Sequence, residues 1–301
     1  MEYKNILNKT NKQNMSLQTE QHETLQSHNS APTLNPSPIV EGRKSFPIAF
    51  FDSGVGGLTV FEKVKKLLPQ ENYLYFGDTK NMPYGEKTEE QLIEFADKIF
   101  KFFEKKNAKA VVIACNTCSA VAYEKLKDNY SFKIYPIIQS VCSTLAKLDV
   151  KKLCVIATPA TIKSHTYSKE IAKYNPDMQV IEIPAPNWVR IVEEHRINQP
   201  QSIEQVKEIL EIAQSYSPDK IVLACTHYPY LMSVLKKFMP EDKFIDPSVY
   251  FAQNIKDDLS NLNDKFEYEK FFVSADPENF KTASQLFYQL KELPELVSDM
   301  N

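Results

Sequence analysis

Residues 111–117 read VVIACNT and residues 221–227 read IVLACTH. Each is an apolar run ending in Ala-Cys, followed by two small or polar residues able to hydrogen-bond. Continuous apolar runs of this length, alternating with helical patterns, are the signature of parallel strands covered on both faces. A fainter echo lies upstream, where IAFFDSG (48–54) and LCVIATPA (153–160) each precede a cysteine strand by a similar distance. The simplest architecture is two similar α/β halves. Each presents one cysteine, Cys115 or Cys225, at the carboxyl end of a strand, where ligands of parallel sheets sit. Apolar–Ala–Cys strings are also common in α/β cores, so chance repetition would give the same echo.

Working outward, PIAFFD (47–52) reads as a strand and SGVGGLTVFEKVKKLL (53–68) as a glycine turn entering an amphipathic helix. NYLYFGD (72–78) reads as a further strand. EEQLIEFADKIFKFFEKK (89–106) has helical spacing, with Leu92, Phe95, Ile99 and Phe102 on one face. SAVAYEKLKD (119–128), SIEQVKEILEIAQSY (202–216) and YLMSVLKKFM (230–239) read as helices, and FKIYPII (132–138) and KLCVIAT (152–158) as strands. Residues 1–45 are rich in Asn, Gln, Ser, Thr and Pro, and are expected to be a disordered, solvated extension.

A chain of 301 residues is long enough for two domains with separate cores. A net charge of −3 offers no basic stripe, which argues against a nucleic-acid or membrane-surface partner. No apolar run approaches the roughly 20 residues that cross a bilayer, and the polar start lacks a signal-peptide core. The expected compartment is the cytoplasm, where five unevenly spread cysteines are free thiols rather than a disulfide framework. Five of the six glycines fall between Gly54 and Gly85. Glycine is needed where backbone turns sharply or approaches a ligand closely, so that stretch is the first candidate site.

A free thiol is a usable base as thiolate and a usable acid when protonated. One cysteine on each face of a carbon bearing an acidic hydrogen can invert that centre, and the reverse reaction swaps the roles. Asn116, Thr117 and Thr226 can hydrogen-bond a substrate's charged groups. His227 follows its cysteine by two positions and can share a proton with it. Asp52 ends the first strand, placed to meet an ammonium or a thiol. Removing a proton next to a carboxylate builds negative charge, so donors there act most in the transition state.

Other readings stay open. CNTC (115–118) is a C-x-x-C, which admits a redox function, and with CTH (225–227) it admits a zinc site. DSGVGG (52–57) resembles a phosphate turn but lacks the G-x-G-x-x-G spacing. Cys142, Cys154 and Trp188 read as core, and His165 and His195 as packing or surface residues.

FDSGVGGLTV (51–60), YFGDTKNMPYGEKT (75–88), VIACNTCSA (112–120), ATPATIKSHTY (157–167) and ACTHYPYL (224–231) together resemble the glutamate racemase family, in family order. The resemblance runs from Pro47 to the closing segment FFVSADPENF (271–280). It implies two pseudo-symmetric three-layer α/β domains with mainly parallel sheets and the site in the cleft between them. The first domain comprises residues 46–137 plus 245–301, and the second residues 138–244. It implies racemisation of glutamate without cofactor or metal, with Cys115 taking the proton from D-glutamate and Cys225 from L-glutamate. Asp52, His227 and Glu193 match the assisting residues. Asp52, Ser53, Tyr84, Gly85, Asn116, Thr117, Thr226 and His227 match the substrate-holding segments. The family supplies D-glutamate for peptidoglycan synthesis and is usually homodimeric. Departures are Cys118, where the family more often has Ala, Ala224 in place of a glycine, and the long start before Pro47.

Overall fold

The computed structural model describes residues 46–259 and 266–298, so the expectation for residues 1–45 lies outside the described residues. Ten strands occur among them. They are β1 (Ile48–Asp52), β2 (Tyr73–Gly77), β3 (Ala110–Ile113), β4 (Lys133–Pro136), β5 (Lys152–Ala157), β6 (Gln179–Pro184), β7 (Lys220–Ala224), β8 (Phe244–Ile245), β9 (Glu269–Val273) and β10 (Glu295–Leu296). They form a sheet of order β10-β9-β2-β1-β3-β4 and a second of order β6-β5-β7-β8, with every pairing parallel. The mainly parallel α/β expectation is met.

The order β2-β1-β3-β4 in one sheet repeats as β6-β5-β7-β8 in the other. The weak upstream echo therefore marks equivalent central strands, β1 and β5, each beside its cysteine strand. Register sharpens the match. Phe51 pairs with Ile113, which sets Ser53 level with Cys115, and Ala157 pairs with Ala224, which sets Thr158 level with Cys225.

The pleat explains why the first sheet needs cover on both faces. Ile48, Phe50, Tyr73, Tyr75, Ala110 and Val112 point into one apolar cluster. Their alternates Ala49, Phe51, Leu74, Phe76, Val111 and Ile113 point into the other. Helices Leu58–Leu67 and Pro247–Leu259 pack together on the first side. Helix Glu89–Lys105 covers the second, opened by a capping box in which Thr88 and Gln91 satisfy each other's backbone N–H groups.

Three local expectations need correction. The buried stripe of helix Glu89–Lys105 is Leu92, Ala96, Ile99, Phe100 and Phe103, while Phe95 and Phe102 flank it half-buried. Residues 132–138 are not one strand. β4 ends at Pro136, which starts helix Ile137–Leu145, and Ile137 and Ile138 are buried on that helix. Residues 230–239 are not one helix, because a 3-10 turn, Tyr228–Leu231, precedes a single α turn, Met232–Leu235.

β9 returns from late in the sequence to pair with β2, and β10 pairs with β9. Among the described residues no helix is long and apolar enough to cross a membrane.

Candidate active site

The carboxyl ends of β1, β3, β5 and β7 supply most of one cleft of about 300 Å³, counting space open to solvent. Ser53, Cys115, Asn116 and Thr117 line it from the first sheet, and Cys225, Thr226 and His227 from the second. Tyr84 and Gly85 close another wall, from the turn after β2. All five cysteines are buried free thiols. Cys115 and Cys225 keep 5% and 7% exposure and reach the cleft, whereas Cys118, Cys142 and Cys154 keep none.

Asp52 and Glu193 stand one layer back. Asp52 is fully buried, accepting from the Gly54 N–H at 3.1 Å and from the Thr226 hydroxyl at 3.3 Å. It thereby ties the end of β1 to the segment after β7. Glu193, at the end of helix Trp188–Glu193, lies 2.5 Å from His227 Nε2. His227 Nδ1 lies 3.8 Å from the Cys225 sulfur.

The two thiols have different neighbours. Burial pushes the Cys115 thiol well above its usual range and the charge of Asp52 adds to this, while the Cys118 N–H and the Ser53 hydroxyl pull the other way. Burial opposes a charged His227, but the Glu193 carboxylate and the hydrogen bond with Cys225 outweigh it, holding the imidazole well above its ordinary value. Cys115 therefore faces an acidic neighbour, and Cys225 a cationic one.

Burial also pushes the Cys118 thiol up, with the Cys115 charge adding to it. Among the described residues no group of three or more His, Cys, Asp or Glu side chains converges as metal donors do.

Sequence reading missed Pro83, Thr158 and Val189 on the cleft wall. Thr158 had a signal, since the upstream echo makes it the counterpart of Ser53. Its hydroxyl lies 2.8 Å from that of Thr117 and 3.0 Å from that of Thr161, joining the two sheets' strand ends. Asp78, also unforeseen, anchors the Tyr84 wall. It is fully buried and accepts from the Tyr84 hydroxyl at 2.5 Å, Asn81 Nδ2 at 2.9 Å and the Ser274 hydroxyl beyond β9 at 2.6 Å.

Burial pushes the Asp52 carboxyl up to about 6, against the pull of His227 and of the Gly54 and Gly57 N–H groups, with Glu193 adding to the rise. A folded-state value above the unfolded one means that stability is lost as pH rises from about 4 to about 6, and the loss stays constant above. The full penalty is on the order of 3 kcal/mol. Asp52→Asn removes this titration, so its stability relative to the parent should climb between about pH 4 and pH 6 and then level off. Urea melts of the empty protein across that range measure it. A difference that stays flat would show that the carboxyl titrates as an exposed one does.

Residues 56–253 match the profile of the Asp/Glu/Hydantoin racemase family. A glutamate racemase of Thermoanaerobacter sp. (strain X514) is 39% identical over 248 residues, spanning 80% of this chain and 92% of that protein. The crystal structure of glutamate racemase from Francisella tularensis subsp. tularensis SCHU S4 in complex with D-glutamate is 32% identical. It superposes with a TM-score of 0.78 over 85% of this chain and 98% of that one. An Escherichia coli glutamate racemase in complex with L-glutamate and the activator UDP-MurNAc-Ala is 26% identical, with a TM-score of 0.68 over 81% and 96% of the two chains. With its repeated sheets and two cleft-facing thiols, this chain belongs to the Asp/Glu/Hydantoin racemase family, alongside the glutamate racemases.

Proposed function

We propose that the protein interconverts L- and D-glutamate, with Cys115 and Cys225 acting as acid and base on opposite faces of the α-carbon. The observation that carries this reading is that these two of five cysteines reach one cleft, each from the end of an equivalent strand in a separate sheet. In the D-to-L direction the Cys115 thiolate takes the α-hydrogen as a proton and the Cys225 thiol delivers a proton to the other face. In the L-to-D direction the roles exchange.

The residues around the thiols divide the remaining work. Ser53 and the Cys118 N–H donate toward the Cys115 sulfur. His227, held charged by Glu193, places a cation beside the Cys225 sulfur. Asn116, Thr117 and Thr226 offer donors that hold the substrate carboxylates. Tyr84 and Gly85 wall the far side. Asp52, behind the thiols, orients Thr226 and balances the substrate ammonium.

This reading needs no metal or organic cofactor. It takes residues 46–137 with 245–301 as one lobe and residues 138–244 as the other; the repeated strand order supports two lobes, with β8 carrying the second sheet on to Ile245. It also has the enzyme working in the cytoplasm as a homodimer that supplies D-glutamate for peptidoglycan. The resemblance to glutamate racemases supports that part.

The test is circular dichroism of D-glutamate incubated with dialysed, chelator-treated protein. The optical signal should decay to zero, while D-aspartate under the same conditions keeps its signal. Persistence of the glutamate signal, or decay only after pyridoxal phosphate or a metal is added, overturns the reading.

A further inference from the structure

Buried polar atoms without a partner are rare in native structures, and each needs a physical reason. Asn116 Nδ2 is such an atom, on a buried residue that lines the cleft directly after Cys115. The other end of the same amide is engaged, since the Tyr167 hydroxyl donates to Asn116 Oδ1 at 2.7 Å. Tyr167 lies on helix Thr166–Ala172, which packs against β6 of the second sheet, and its ring is buried. Burial pushes its phenol well above the usual range, so it keeps the proton that it donates to Asn116 Oδ1.

A carboxamide has one accepting end and one donating end. With Tyr167 donating to the oxygen, the NH₂ group must point away from Tyr167. We infer that Tyr167 is a positioning residue that locks the Asn116 amide with its donor end free for a substrate carboxylate oxygen. This inference rests on the glutamate reading above. Without the lock, a half-turn of the amide presents its oxygen to the carboxylate, and repulsion replaces a charge-assisted hydrogen bond. The lock also spans the two sheets, because the phenol comes from the second and the amide from the first. The donor is therefore correctly aimed only when both sides of the cleft are in place.

Tyr167→Phe keeps the ring and deletes only the hydroxyl. KM for both D- and L-glutamate should rise about tenfold, while kcat changes by less than about threefold, since neither thiol is moved. Asn116→Ala should raise KM at least as much, and adding Tyr167→Phe to it should change KM no further. That non-additivity is what a purely structural role of Tyr167 would not produce. Thermal melts of all three variants establish that they fold. An unchanged KM in Tyr167→Phe, or the same rise in the Asn116→Ala background, overturns the inference while leaving the glutamate reading intact. A wild-type protein that fails to racemise glutamate overturns both.

Discussion

Replacing Cys225 with alanine is expected to lower racemisation by about 10²–10⁴-fold in both directions, and replacing Cys115 should do the same. The symmetry of the loss follows from the chemistry, because every turnover uses one thiol as base and the other as acid. Half of the reaction should nonetheless survive. In Cys225→Ala, Cys115 can still remove the α-proton of D-glutamate and return a solvent-derived one to the same face. In D₂O this variant should exchange the α-hydrogen of D-glutamate without inverting it, and Cys115→Ala should do so with L-glutamate. Proton NMR reads the exchange, and circular dichroism shows that inversion is absent. Either single variant racemising within tenfold of the parent would remove the basis for the two-thiol mechanism. Both side chains are small and lie at strand ends, so the folded structure should tolerate the change.

Gly56→Ala is expected to lower kcat by about 10²-fold without removing any catalytic group. A Cβ built on Gly56 would lie 2.5 Å from the Thr226 hydroxyl oxygen and 2.6 Å from His227 Cε1. Both neighbours flank Cys225, and both are tied down, Thr226 by Asp52 and His227 by Glu193. The overlap cannot be relieved by swinging a flexible side-chain end into solvent, because both residues are buried. Relief must displace the Cys225 segment, and displacement of a reacting group by about 1 Å costs about 10²-fold. The loss should fall on kcat in both directions. Steady-state kinetics alongside a thermal melt distinguishes it from simple unfolding. A folded Gly56→Ala protein with kcat within threefold of the parent would show that the turn has room the structure does not display.

These effects concentrate where the sequence was most legible. The cysteine strands could be read because a fully buried parallel strand leaves an unbroken apolar run, and a run ending in a polar cluster marks the exit toward ligand. The glycine cluster was legible for a related reason, as Gly56 and Gly85 sit where the added Cβ would strike Thr226 and Thr158. Asp78 was not legible. Its partners Tyr84 and Ser274 are 6 and 196 residues away, and only sheet pairing brings β9 to them. Thr158 lay between the two cases, since the upstream echo pairs it with Ser53 but only the strand register sets it level with Cys225. Helix edges failed for a simpler reason. Phe95 and Phe102 satisfy the helical spacing, but the helix rolls so that Ala96, Phe100 and Phe103 meet the sheet. Small residues permit close approach, and apolar spacing alone does not choose between adjacent stripes.

The late return of β9 bears on how the molecule is made. A ribosome has delivered every strand of the second sheet, through Ile245, well before residues 269–273 emerge. The second sheet can assemble on the nascent chain while β2 waits with an open, unpaired edge of the kind that invites pairing with another chain. Only when β9 fills that edge does Ser274 reach Asp78 and secure the Tyr84 wall. The cleft is therefore completed late in synthesis, and a polypeptide stalled before residue 269 would carry both thiols without the anchor that secures the Tyr84 wall.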